Sequence, residues 1–262
     1  MTIPKNMWQS GVMSAIVCAA LSSASLHAAE PAVSEVNGKV SVQGGDVMGS
    51  GASTLDAVLA LPLGHSFGLQ LDGSSGSLLN QSYSGVGGHV FWRDPSVGLL
   101  GLTGTNQKIG NTLFIRNGVE GEAYLNQFSI GMRGGYQGGD TLKGDYFGIG
   151  GRWYINDNLV VNLGYDHAPG DTTTNGVGIE WQPTGWGTRQ LALFARATET
   201  VDSGHAGAVG IRYYFGGEKS LIQRHRTSDP ESLVMPMGDV IPTPSIQVNT
   251  PAPVHVRFVN PA

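Results

Sequence analysis

The chain has 262 residues, a formal net charge of −5 and 13% charged residues, about half the roughly 25% usual for soluble domains. Fifteen basic residues against twenty acidic ones leave no footprint for nucleic acid, and forty glycines argue against a helical protein. The single cysteine, Cys18, lies within the first 29 residues, so a chain that has lost them holds no thiol nucleophile, disulfide or cysteine metal site.

Residues 1–29 read as a secretory signal. Lys5 supplies a positive start, the stretch from Gly11 to Leu26 is apolar but too short to span a bilayer, and Ala28 and Ala29 offer small residues for cleavage. A lipoprotein box is absent, because Val17 stands where Gly, Ala or Ser would have to precede Cys18.

From Ser34 to Phe215 the sequence alternates apolar and polar residues in short segments, as in Phe128 to Tyr136 and Leu159 to Asp166. A period of two puts successive side chains on opposite faces of a strand. The pattern predicts about twelve strands, near 35–43, 53–62, 66–75, 81–92, 97–106, 112–124, 127–138, 143–155, 159–167, 174–182, 189–199 and 206–215. Pro62, Pro95, Pro169 and Pro183 fall at the boundaries, as paired strands require. Some connections look tight, such as 63–65, 93–96, 126–127 and 156–158. Others look longer, as at 73–80, 106–111, 139–144 and 169–174. Short turns on one side and longer loops on the other fit an up-and-down membrane barrel, with the short side periplasmic and both termini there. Gly216 to Ala262 is a different unit: Gly217 to Arg226 can form a short helix, and the seven prolines after it favour an extended periplasmic tail. The tail ends in Val254 to Phe258, an alternating segment suited to adding to a partner's sheet edge.

One face of the predicted strands collects Leu69, Val90, Leu113, Ile115, Ile130, Met132, Ile149, Leu163, Ile179, Leu193, Val209 and Ile211. The other collects Arg116, Glu120, Glu122, Arg133, Arg152, Asp166, Glu180, Arg196 and Arg212. A soluble barrel would turn the first face inward; a membrane barrel would turn it out. Aromatic residues at strand ends on the apolar face, Phe67, Trp92, Phe128, Trp153 and Trp181 near the tight turns and Tyr136, Phe147 and Tyr165 near the long loops, suit the two girdles of a membrane barrel. Arg133 and Arg196 near mid-strand would each cost roughly 2–4 kcal/mol facing lipid, so they are expected to line the lumen. Gly118, Gly131, Gly150, Gly164 and Gly210 on the same face are expected to leave room for water.

The segment Val209-Gly210-Ile211-Arg212-Tyr213-Tyr214-Phe215 resembles the terminal-strand signal of bacterial outer-membrane β-barrel proteins, which ends in an aromatic with apolar residues at alternating positions before it. Val209, Ile211, Tyr213 and Phe215 fill those places. The resemblance implies a porin-like barrel in the outer membrane of a Gram-negative bacterium, with membrane lipid and the barrel-assembly machinery as partners. The chain departs from the usual pattern by continuing past Phe215 to Ala262.

Motifs for chemistry are sparse. Gly64-His65-Ser66-Phe67-Gly68 matches the nucleophile-elbow pattern, but it lies in a strand-to-strand turn with no helix after it. His65, His89, His167 and His205 are too far apart in sequence to form a metal motif, and nothing calls for a cofactor. Asp46, Asp72, Asp140, Asp145, Asp171 and Asp202 would give the loop side an acidic vestibule. The reading is therefore a narrow passive channel for small hydrophilic solutes. Two alternatives stay open: a structural barrel whose tail holds a periplasmic partner, and a rim enzyme built on Ser66, Ser203, His167 or His205.

Overall fold

The computed structural model describes residues 30–140, 142–201, 204–228 and 230–232. The first 29 residues, Asp202, Ser203 and the Val254 to Phe258 segment lie outside them. Twelve antiparallel strands follow one another around a closed barrel: β1 (Asn37–Val47), β2 (Ser50–Pro62), β3 (Phe67–Leu78), β4 (Gln81–Asp94), β5 (Gly98–Ile109), β6 (Thr112–Leu125), β7 (Phe128–Gly139), β8 (Gly144–Asn156), β9 (Leu159–Ala168), β10 (Thr172–Trp181), β11 (Leu191–Thr200) and β12 (Gly204–Tyr214). The ladder from Lys39↔Tyr214 to Val47↔Ala206 seals β1 to β12. Closure leaves no strand edge unpaired, the condition a sheet must meet in hydrocarbon. A short helix, α1 (Leu221–Thr227), follows the last strand.

Both termini of the barrel lie on one rim, called here the terminal rim. The expected contrast between short and long connections is absent. Residues 73–78 and 106–109 continue β3 and β5, and two-residue turns at 79–80 and 110–111 close the hairpins. Leu79 and Asn80 both take positive φ, 52° and 59°, the geometry of a tight turn matched to strand twist. The Gly/Ser-rich run is strand because its inward positions need only small side chains; Ser74, for example, donates to the buried carboxylate of Asp56. The longest connection, 182–190, is on the terminal rim, so loop length does not distinguish the two rims.

The faces sort as a membrane barrel. Large apolar side chains stand exposed on every strand except β11, where Leu191 and Leu193 are half-buried; Leu163 is 63% exposed and Ile130 44%. A contiguous apolar belt of this extent is the surface of a protein seated in lipid, not in water. The opposite alternate positions point inward, carrying polar side chains and the rings of Phe91, Phe114, Tyr124, Tyr146, Tyr154, Phe194 and Tyr214.

Candidate functional site

The interior is built from charged groups that pair across an intervening strand. Arg133 on β7 donates to Asp166 on β9 at 2.7 Å from Nη2 and 3.1 Å from Nε. The strand between presents Gly148, in register with both. A Cβ there would come within 2.2 Å of Asp166 Oδ1, so the missing side chain is what lets the pair form. Gly101 does the same for Glu120, which reaches past β5 to His89 Nδ1 at 2.9 Å while Asp72 meets Nε2 at 2.8 Å. Gln70 donates to Asp72 at 2.8 Å and completes that buried set. Arg152 pairs with Glu122 across β7.

On the far wall Arg212 donates to Glu180 at 2.7 Å and to Ser41 Oγ at 3.0 Å, and the Tyr214 hydroxyl donates to the same carboxylate at 2.6 Å. The guanidinium of Arg212 also lies 4.7 Å from the Phe194 ring, with Arg196 5.0 Å over the same ring. Arg116 bonds Gln137 at 2.9 Å and covers Tyr146. Partner groups and cation–π contacts offset the cost of drawing these charges out of bulk water.

A cavity of about 140 Å³ remains among these groups. Its wall includes Glu120, Glu122, Arg133, Arg152, Asp166 and Arg196, all from strands β6 to β11. Gly131, Gly150 and Gly164 contribute open wall, as the sequence reading expects. Gly118 and Gly210 do not, because their space is taken: a Cβ on Gly118 would meet the Gly134 carbonyl oxygen at 2.3 Å and the Tyr146 hydroxyl at 2.5 Å, and one on Gly210 would meet the Phe194 ring at 2.3 Å. The acidic vestibule also loses a member, since Asp72 is buried in mid-strand beside His89, while Asp46 accepts from the Gly49 amide and Asp140 from the Leu113 amide.

The terminal rim is covered from both sides. Residues 30–36 lie against β2 to β5: the Ala32 amide donates to the His65 carbonyl at 2.7 Å, and Arg93 donates to the Ala32 carbonyl at 3.2 Å. Val33 packs with Ala60, Phe91, Leu99 and Tyr124. Helix α1 covers the rest, with Leu221 fully buried among Tyr154, Val160, Ala192 and Tyr214. Its start is fixed by a reciprocal capping box between Ser220 and Gln223. Between the two covers, the Ser34 amide donates to the Thr227 carbonyl at 3.0 Å, and Lys219 meets Ser34 Oγ at 2.6 Å and Glu35 at 3.3 Å. The Gly217 amide and Lys219 hold the Glu35 carboxyl below the usual carboxylate range. The short helix that the sequence allows within 217–226 forms at Leu221–Thr227 and is packed on the rim.

Outward aromatics ring the terminal rim: Phe67, Trp92, Phe128, Trp153 and Trp181, joined by Trp186, Tyr213 and Phe215. Phe128 stacks on Trp153 at 6.2 Å. On the opposite rim, Tyr136, Phe147 and Tyr165 form a patch on β7, β8 and β9. Val209, Ile211 and Tyr213 all face outward on β12, with Phe215 just past its end. Ser66 lies in the β2–β3 turn on the terminal rim, whereas His167, its ring 5.3 Å from that of Phe147, and His205 lie at the opposite rim. Ser66 and these histidines thus share no site.

No family model matches the sequence, and no curated protein matches it. Solved structures do. A KdgM porin in complex with disordered oligogalacturonate superposes with a TM-score of 0.56 at 12% identity, covering 68% of this chain and 99% of the porin. A second KdgM porin structure gives 0.54 over 69% and 100% at 12% identity. The NanC porin gives 0.52 at 10% identity over 66% and 98%. The part in common is the barrel, and this chain has the fold of the bacterial outer-membrane porins.

Proposed function

We propose that the barrel is a narrow passive channel for small hydrophilic solutes, with its path along the β6 to β11 wall. The observation that carries this reading is the cavity of about 140 Å³ between paired charges and bare glycines. Charges of both signs give a permeating solute replacement partners for its hydration shell at every level, and the glycines keep the wall from closing on it. Arg133, Arg152 and Arg212 each hold a carboxylate already, so the reading extends to hydrophilic solutes without selecting a sign of charge. The porin fold of the neighbours supports a channel; the solute named with the KdgM porin belongs to that protein. Purified protein in planar bilayers is expected to give discrete conductance steps. Folded barrels that stay electrically silent across voltage and salt, in the full chain and in variants of its covered rim, would reject the channel.

A further inference from the structure

The cover on the terminal rim is made by segments that the barrel does not need. The twelve strands complete their own ladder, and β1 meets β12 directly. Helix α1 spans only Leu221–Thr227, too short to persist alone in water. It is helical there because the rim holds it. Its grip is mostly on the carbonyls of turns from several strands. Arg226 donates to Asn126 and Phe128 at 2.7 and 2.9 Å, with its guanidinium 5.2 Å over Tyr124. Arg224 donates to Arg189 at 2.9 Å, the Ile222 amide to Asp157 at 3.2 Å, and Gln182 to the Lys219 carbonyl at 3.1 Å. With residues 30–36 attached to the β2–β3 turn, contacts run around the rim and across it through Ser34 and Thr227.

The chain then turns inward. Pro230 and Ser232 are buried, and Glu231 stands in the cavity itself, open to its space but enclosed by the barrel wall. Burial disfavours charge on the Glu231 carboxyl, but Arg152, Arg133 and Arg196 outweigh it and hold the group below the usual carboxylate range. One short segment thus caps the mouth and places a carboxylate among the arginines of the path.

We propose that residues 217–228 and 230–232, seated on residues 30–36, form a detachable plug in cis that closes the terminal rim, so that the channel opens when this segment leaves the rim and not by rearrangement of the strands. The inference rests on the channel reading and adds its regulation. The plug is a two-state element: seated, it covers the mouth; released, it leaves the ladder whole.

The test is single-channel recording on the full chain. Leu221→Glu puts an unpaired carboxylate into the apolar seat and is expected to raise open probability at least about tenfold over the unsubstituted chain, with no change in heat-dependent gel mobility. A second variant, Ser34→Cys with Thr227→Cys, locks the plug: oxidised channels are expected to fall silent and to recover on adding dithiothreitol. Should Leu221→Glu fail to fold, Arg226→Ala takes its place with the same expected direction. Folded Leu221→Glu that behaves as the unsubstituted chain, or a locked pair that conducts alike oxidised and reduced, overturns the plug while the channel stands. Silence in every form, with the barrel folded, overturns the channel and the plug together.

Discussion

The two sides of the barrel use the same alternation of outward apolar and inward polar residues, yet one is filled and the other open. On the side formed by β12 and β1 to β5, inward positions carry His89, Gln70, Phe91 and Leu99, packed to near-complete burial. At its far rim Val47, Leu78, Tyr83, Ile109 and Ala208 join Phe114 in one apolar cluster. On the side formed by β6 to β11, Gly131, Gly148, Gly150 and Gly164 take inward positions, and the cavity lies against them. What separates the filled wall from the one that leaves a cavity is therefore the run of glycines at these inward positions. Glycine has two uses here: at Gly101 and Gly210 its place is taken by a neighbour's side chain, and at Gly164 it stays vacant.

That contrast can be broken by substitution. Phe91→Ala on the filled side is expected to cost about 3–5 kcal/mol, because a ring 1% exposed leaves a hole in the rim cluster; unfolding in urea from lipid vesicles measures it. Next comes Gly101→Val against Gly164→Val. A Cβ at Gly101 would meet Glu120 Oε1 at 2.7 Å and Phe91 Cβ at 3.1 Å, whereas Gly164 has nothing within 4 Å. The first is expected to destabilise by about 1–3 kcal/mol, the second to stay within about 1 kcal/mol while lowering conductance. Equal costs at the two positions would erase the distinction between the sides.

Gly148→Ala is smaller in stability but specific in chemistry. Its methyl enters the line between Arg133 and Asp166, so charge selectivity should change in reversal-potential measurements, and Asp166→Asn should shift it in the direction of anions. The smallest effect concerns pH. The folded pKa of Glu231 is depressed, so its contribution to seating the plug is present above the unfolded value and is lost as pH falls through the folded one. The charged groups around it are Arg152, Arg133, Arg196 and Lys39, with Glu120, Glu122, Asp166 and Glu180 on the same cavity wall. Open probability should rise only at strongly acid pH, and Glu231→Gln should remove that component of the rise.

Much of the fold is legible in the sequence because a period of two is a local signal. The strand expected at 127–138 is found at 128–139, and Ile130, Met132 and Leu163 face outward as the pattern asks. The ends of β3 and β5 are less legible: Gly73 to Ser77 has loop composition because inward positions there take small residues such as Ser74, and Asn106 to Ile109 reads as a loop although Gln107 turns inward to accept from the Tyr83 hydroxyl and Ile109 is buried; composition cannot separate such demands from a turn. Asp72 was hidden in the same way, its neighbours suggesting a loop while its register puts it beside His89. The ion pairs had a signal that periodicity alone does not use. Arg133, Gly148 and Asp166 are inward positions in register on consecutive strands, a charge, a gap and an opposite charge. The Ser220 and Gln223 pair announces a helix start, but nothing local announces where it docks, since Asn126, Asp157 and Arg189 are remote in sequence.

All of this depends on which face meets lipid, and two adjacent residues test it. A chain of residues 30–262 contains no cysteine, so single cysteines at Leu163 and at Gly164 can each carry a fluorophore in barrels reconstituted with brominated lipids. The fluorophore at Leu163 should be strongly quenched and that at Gly164 should not. Quenching at Gly164 with none at Leu163 would turn the barrel inside out and contradict the account.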